Sequence, residues 1–154
     1  MTVCLRRIAS LPNGFDELRA DAEANGYRQL RRLAAELETG QAMFHAVVAV
    51  FIDRGLVGVG AITDEPQPAS EPAWRLRRLY VHRRFRRRGI ARSMVRALLA
   101  EAADKVRLVT VHAGDDDAAR FWEAIGFQHA ACKAWTHQTT PAAAAAGGAS
   151  KPVA

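Results

Sequence analysis

Arg75-Leu76-Arg77-Arg78-Leu79-Tyr80-Val81-His82-Arg83-Arg84-Phe85-Arg86-Arg87-Arg88-Gly89-Ile90-Ala91-Arg92-Ser93-Met94-Val95-Arg96-Ala97-Leu98-Leu99-Ala100-Glu101-Ala102 is the stretch that decides the fold. The short apolar run Leu76 to Val81 predicts a strand. An arginine-laden turn follows, then Gly89, then Ile90, Met94, Val95, Leu98 and Ala102 at the spacing of one helix face. Arg83, Arg84, Arg86, Arg87, Arg88 and Arg92 crowd around the turn, and no Asp or Glu occurs from Pro72 to Ala100. So much like charge repels itself unless an anion or solvent compensates it. Gly89 lets the backbone approach a ligand closely, and the free N–H groups of the first helical turn point to the same place with the positive end of the helix dipole behind them. The ligand that suits this arrangement is a phosphate.

Arg86-Arg87-Arg88-Gly89-Ile90-Ala91 resembles the Arg/Gln-x-x-Gly-x-Gly/Ala signature of the GCN5-related N-acetyltransferases, the GNAT family, and Leu79-Tyr80-Val81 is similar to that family's fourth strand. At the expected distance downstream, Ala118-Ala119-Arg120-Phe121-Trp122-Glu123-Ala124-Ile125-Gly126-Phe127 is similar to the family's second signature, Asn-x-x-Ala-x-x-Phe-Tyr-x-x-x-Gly-Phe. The resemblance spans roughly Val3 to Gln138. It implies acetyl-CoA as co-substrate, without a metal. Backbone N–H groups from Arg87 to Ala91, with Arg86, Arg92 and Ser93, would surround the pyrophosphate. The edge Leu79, Tyr80, Val81 would pair with pantetheine as a sheet edge pairs with a peptide. A backbone N–H near Leu79 would polarise the thioester carbonyl. Phe121 would pack either on the cofactor or in the core.

Two positions depart from the family pattern. Trp122 stands where relatives carry a tyrosine that protonates the departing thiolate, and indole is no usable acid. Asp115 replaces the signature's Asn. The amine must also lose a proton on or before attack. His112, which closes the strand bordering the cofactor gap, is the leading candidate for that proton, since its ordinary pKa suits transfer near neutrality. His82, directly after the central strand, is a second. Asp64, Glu65 and Glu71 form a third if their loop folds over the site; otherwise they are solvated loop charges. His45, His129 and His137 lack metal-ligand spacing.

The chain of 154 residues, 49% hydrophobic and 25% charged, suits one soluble globular domain. That domain is expected over residues 1–138, followed by an Ala/Gly/Pro-rich flexible tail, 139–154. The longest apolar stretch, Ala46 to Ile52, is too short to span a membrane, and no signal-peptide core opens the chain. Cytoplasmic location, as monomer or homodimer, and reduced Cys4 and Cys132 follow as expectations. The net charge of +6 is local. Ten arginines and no acid lie between Pro72 and Ala100, leaving 12 basic against 16 acidic residues elsewhere, a net of −4. The acceptor is therefore expected to be a cationic amine.

Along the chain, Thr2 to Ile8 alternates as a first strand with Val3 and Leu5 on one face. Asn13, followed by Asp16, marks the start of a helix with stripe Phe15, Leu18, Ala22 that ends at Asn25-Gly26. A second helix carries Tyr27, Leu30, Leu33, Ala34 and Leu37, stops at Gly40, and turns Arg28, Arg31, Arg32, Glu36 and Glu38 to solvent. Met43 to Asp53 and Leu56 to Thr63 form a hairpin across Arg54-Gly55. The glycines of Gly55 to Gly60 form no dinucleotide loop, since no helix pattern follows. Val106 to Val111 is the next strand. Asp115 to Asp117 cap a helix that Gly126 and Phe127 stop, and one or two strands end the domain by His137.

The order β-α-α-β-β-β-α-β-α-β-β predicts an α/β (α+β) fold of three layers: a strongly twisted mixed sheet with helices on both faces. The resemblance adds that the fourth and fifth strands splay apart around the cofactor. The function expected is acetyl-CoA-dependent transfer to a primary amine of a small molecule or peptide, by direct attack in a ternary complex. Trp122 motivates an alternative, a catalytically silent acyl-CoA-binding domain. An Arg-rich nucleic-acid-binding module is disfavoured, because the first 71 residues are net acidic and stacking aromatics are sparse.

Overall fold

The computed structural model describes residues 2–39 and 43–142. The elements are β1 (Val3–Arg7), α1 (Phe15–Ala24), α2 (Gln29–Glu38), β2 (Phe44–Ile52), β3 (Gly55–Asp64), β4 (Ala73–Val81), α3 (Ile90–Ala102), β5 (Leu108–Val111), α4 (Asp116–Ile125), β6 (Gln128–His129) and β7 (His137–Thr139), with a 3-10 turn at Arg83–Phe85. This is the order the sequence predicts. The strands form one mixed sheet, β1-β2-β3-β4-β5-β7-β6, in which β4 and β5 run parallel and the other neighbours antiparallel.

Alternation along β2 divides the core in two. Ala46, Val48, Val50 and Ile52 face Met94, Val95, Leu98 and Leu99 of α3 and Trp122 of α4. Val47, Ala49 and Phe51 face Phe15, Leu18 and Ala22 of α1 and Leu30 and Leu33 of α2. The sheet is thus covered on both faces, as three layers require. The glycines of β3 serve packing. A Cβ at Gly58 would come within 3.0 Å of the Met94 methyl, and one at Gly60 within 2.9 Å of Leu79 Cδ1. Larger residues there would push α3 and β4 off the sheet.

Several local readings change. The hairpin turns at Asp53-Arg54, one residue earlier than expected, because Ile52 pairs with Gly55 and both turn residues take positive φ, +49° and +73°. Asp53 is held there by Thr2, whose N–H donates to its carboxylate at 2.8 Å. Asn13 does not cap α1; Gly14, with φ +90°, occupies that position without a side-chain cap. β1 is exposed along its length, with Val3 58% accessible, because it forms the sheet edge. The α4 signals hold: Asp115 accepts from Ala118 N–H at 2.8 Å, and Gly126 (φ +119°) stops the helix while Phe127 N–H donates to the Trp122 carbonyl. The expected stop at Gly40 and residues 143–154 of the expected tail lie outside the described residues, while Thr139, expected to open that tail, is the last residue of β7. Among the described residues no helix is long and apolar enough to cross a membrane.

Candidate active site

β4 and β5 pair through Ala73↔Leu108, Trp74↔Val109 and Arg75↔Thr110, and the ladder stops there. β4 continues to Val81, still paired with β3 through Val59↔Tyr80 and Gly58↔Val81. From Leu76 to Val81 its other edge therefore has no ladder partner, which is the fork the resemblance implies. The last rung is pinned by Glu65, whose side chain is 1% accessible. Its Oε1 accepts from Arg75 Nε (2.8 Å) and Thr110 Oγ1 (2.6 Å), and its Oε2 accepts from Arg75 Nη2 (3.1 Å) and Gln67 N–H (2.7 Å).

Glu65 is thus neither a solvated loop charge nor a free base, since both oxygens are committed. Asp64 pairs with His45 at 2.7 Å, and the His45 ring stacks on Trp74. Glu71 is exposed on the same loop, which enters β4 at the closed end of the fork. The loop acids consequently do not converge on the open edge.

A bulge interrupts β4 at Arg78, which takes φ +60° between the pairs Ala61↔Arg77 and Val59↔Tyr80. The kink turns Arg78 under α2, where its Nε and Nη2 grip Glu36 at 3.1 and 2.8 Å and its Nη1 donates to Gln29 at 2.6 Å. Glu36 therefore belongs to a buried ion pair, not to the outer face of α2. A burial-induced need for a partner, invisible in helical periodicity, is the cause.

At the head of the fork, Arg87 takes φ +64° and Gly89, with φ +76°, caps α3. A Cβ on Gly89 would meet nothing within 4 Å, so the space in front of the helix terminus is open. Ser93 N–H and Oγ both return to the Gly89 carbonyl at 3.0 Å, and the preceding first-turn N–H groups have no intrahelical acceptor. The arginines divide into two sets. Arg86 donates to the Val81 carbonyl (3.1 Å) and lies over Tyr80, Arg88 lies over Phe85, and Arg83 pairs with Asp21 at 3.2 Å. Arg84, Arg87 and Arg92 are exposed, and their guanidinium groups have no protein partner among the described residues.

Asp21 ties α1 to this turn, a role the sequence did not reveal. Its carboxylate accepts from the Tyr80 hydroxyl (2.5 Å) and the Arg83 N–H (3.1 Å), and His82 Nε2 stands 3.4 Å away. Burial opposes its ionisation, but Tyr80, the Arg83 amide and the charges of His82 and Arg83 outweigh it and hold the pKa below the usual carboxylate value. Burial, then the hydrogen bond and charge of Asp21, push the Tyr80 hydroxyl up to about 12. Tyr80 is thereby fixed as a hydrogen-bond donor.

His112 is exposed directly after β5, without a side-chain partner among the described residues. Phe121 is partly buried against the α3/α4 core and meets Trp122 edge-on. Trp122 is 7% accessible and edge-on to Phe127, which makes it a packing residue. Leu79 is half-buried beside the same core. Among the described residues no three His, Cys, Asp or Glu side chains gather as a metal site would need.

A forked mixed sheet with an anion-receptive helix terminus at its head defines the acetyltransferase class of fold. The model of the Acetyltransferase (GNAT) family matches residues 11–127, and the chain belongs to that family; it is an acyltransferase. Solved structures agree on the fold. An acetyltransferase from Exiguobacterium sp. superposes with TM-score 0.80 at 20% identity, over 96% of this chain and 99% of its own. The E. coli GNAT family N-acetyltransferase YhbS, solved with CoA, gives 0.70 at 17% identity over 94% and 85%. A GNAT family acetyltransferase from Brucella melitensis, in complex with acetyl-CoA, gives 0.66 at 17% identity over 90% and 88%. No curated protein matches the sequence.

Proposed function

We propose that this chain transfers the acetyl group of acetyl-CoA to a primary amine of a small molecule or peptide, in the cytoplasm, by direct attack in a ternary complex. The observation that carries the reading is the end of the β4/β5 ladder at Arg75↔Thr110, beside an exposed arginine turn that opens a helix. The GNAT relatives solved with CoA and with acetyl-CoA support the same co-substrate here. Backbone N–H groups of Arg87, Arg88, Gly89, Ile90 and Ala91 would hold the pyrophosphate, with Arg92 and Ser93 in the first helical turn. The unpartnered Arg84, Arg87 and Arg92 add mobile positive charge, while Arg86 braces the turn through Val81.

The β4 edge from Leu79 to Val81, which has no β5 partner, is open to the pantetheine amides, with the Val81 carbonyl already held by Arg86, and the Leu79 N–H is the donor for the thioester oxygen. Acetyl-CoA supplies a carbonyl activated as a thioester. The amine nitrogen bonds to that carbon, the C–S bond breaks, and CoA leaves as a thiolate that is stable enough near neutrality with a pKa of about 8.5. The proton lost by the amine passes to His112. Continuing the β4/β5 register two residues past its last rung brings His112 opposite Arg77, at the mouth of the fork.

Two measurements test the reading. Acetyl-CoA and CoA should raise the melting temperature, because the turn loses an uncompensated charge on binding. Gly89→Glu should abolish that shift by placing a carboxylate where the pyrophosphate belongs. Since any side chain at φ +76° is strained, Gly89→Asn, which tolerates that conformation, should keep most of it. Arg31→Glu on the outer face of α2 should keep all of it. An unchanged shift in Gly89→Glu removes the cofactor assignment. Release of CoA across a panel of amines then separates an enzyme from the second reading, a silent acyl-CoA-binding domain, which the buried Trp122 motivates.

A further inference from the structure

Arg75, Arg77 and Arg78 all bear on the α1/α2 face of β4, and two of them are spoken for. Arg75 grips Glu65 and Arg78 grips Glu36, each through Nε and one Nη on the two carboxylate oxygens. Arg77 has the same fork and nothing in it. Its Nε is buried from solvent and finds no hydrogen-bond partner among the described residues. Arg77 is only partly buried, so its terminal nitrogens reach solvent while the shielded Nε lacks an acceptor, an arrangement that calls for an explanation.

We propose that the acceptor is an amine that also carries a carboxylate, and that Arg77 binds this carboxylate through its terminal guanidinium nitrogens, which no protein group holds among the described residues. The proposal rests on the acetyl-transfer reading and names the substrate class for that site. Position supports it. Arg77 is two residues beyond the last β4/β5 rung and two before Leu79, with the kink at Arg78 between them. His112 stands opposite in the continued register. A carboxylate held at Arg77 therefore leaves an amine only a few bonds away from it between His112 and the Leu79 N–H. Amino acids and short peptide-like acids have that spacing.

Tyr27 completes the subsite. Its ring stacks on Tyr80 at 5.3 Å, and its hydroxyl has no protein partner among the described residues. A planar guanidinium suits a carboxylate, held bidentately, and a free phenol on the same face of the sheet is a further donor. The net of −4 outside the arginine segment still favours an incoming ammonium. That field is screened within about 10 Å at 0.1 M salt, whereas Arg77 acts at contact. The two charges of a zwitterionic acceptor satisfy both.

The test pairs each acceptor with its neutral twin. Amino acids and their carboxamides are compared by CoA release in the wild type, Arg77→Gln and Arg77→Lys. The wild type should favour the acids by about 10²-fold in kcat/KM. Arg77→Gln should erase that preference through KM for the acids and leave the amides nearly unchanged, and Arg77→Lys should restore part of it. N-acetyl amino acids, added with CoA, should stabilise the wild type more than their amides do, a readout that needs no turnover. The melting temperature of Arg77→Gln without ligand should be equal or higher, because a partly buried, unpaired charge is removed.

Equal use of acids and amides by the wild type, with no differential stabilisation by the products, overturns the proposal. So does a large loss of ligand-free stability in Arg77→Gln, which would make the arginine structural. Loss of the CoA-induced melting shift in the wild type would instead be a failure of the acetyl-transfer reading.

Discussion

The arginines of β4 and those of the turn that follows it are the same residue in adjacent segments, yet they do different physical work. In the turn, Arg84, Arg87 and Arg92 stay in water, where an unpaired charge costs little and is free to meet a diffusing anion. On β4, Arg78 is buried and Arg75 and Arg77 are partly buried, so a carboxylate partner matters more. Two obtain one from the chain, Glu65 and Glu36. The difference teaches that burial, not the count of positive charges, assigns an arginine its task. A run of arginines can be a phosphate site at one end and a set of structural or substrate clamps at the other.

The comparison is broken most forcefully at Arg75. Arg75→Ala leaves Glu65, 1% accessible in its side chain, without its counter-charge. Removing one partner of a buried pair costs about 3–5 kcal/mol, and here the fork's last rung loosens with it. Arg92→Ala, on the exposed first turn of α3, should cost no more than about 0.5 kcal/mol. Chemical denaturation of both variants measures the contrast. Adding Glu65→Gln to Arg75→Ala should recover part of the loss, because the orphaned charge is then gone; comparable stability of Arg75→Ala and Arg92→Ala would collapse the distinction.

A second effect, in rate instead of stability, concerns proton transfer. His112→Ala should lower kcat by about 10²-fold and change the shape of the pH–rate profile, while the CoA-induced melting shift stays intact. Trp122→Phe should keep the shape of that profile and lose stability instead, since a buried aromatic is trimmed between Phe121 and Phe127. If His112→Ala is silent and a well-folded Trp122→Phe loses turnover, the division of labour between them is wrong. Silence of both would leave water to carry the proton from the amine.

Most of the architecture was legible because it rests on local signals. The spacing of Ile90, Met94, Val95, Leu98 and Ala102 marks α3, and Asp115 with Gly126 brackets α4. The turn was legible for a second reason: an exposed site at a helix terminus is written in consecutive residues. The ties that fix β4 to the rest of the fold were not, because they join distant positions. Arg78 meets Glu36 across 42 residues, Thr110 meets Glu65 across 45, and Tyr80 meets Asp21 across 59. No window of sequence contains both partners. The bulge that swings Arg78 under α2 has no signal in a string of three arginines, so Glu36 read as one more charge on an outer face.

The smallest expected effect tests how the turn is tied to α1. Asp21 has a folded-state pKa below its ordinary 3.8, so between the two values the unfolded chain binds the extra proton. Its contribution to stability is then complete above about pH 4 and fades as pH falls through the folded value. Tyr80 has the opposite sign. Its folded pKa of about 12 exceeds the ordinary 10.0, so its contribution is complete below pH 10 and is lost as pH rises toward 12. The junction should therefore weaken at both extremes and be indifferent in between. Asp21→Asn should reduce the melting temperature by a similar amount from pH 5 to 9, and the gap to the wild type should narrow below pH 4. CoA affinity should fall only a few-fold, because the Arg83 N–H loses a charged acceptor while Gly89 and the α3 terminus are untouched. A gap that widens in acid would mean that Asp21 is not the group holding the turn; a complete loss of CoA binding would place Asp21 among the ligand contacts, and so move α1 from the bracing of the cofactor site into the site itself.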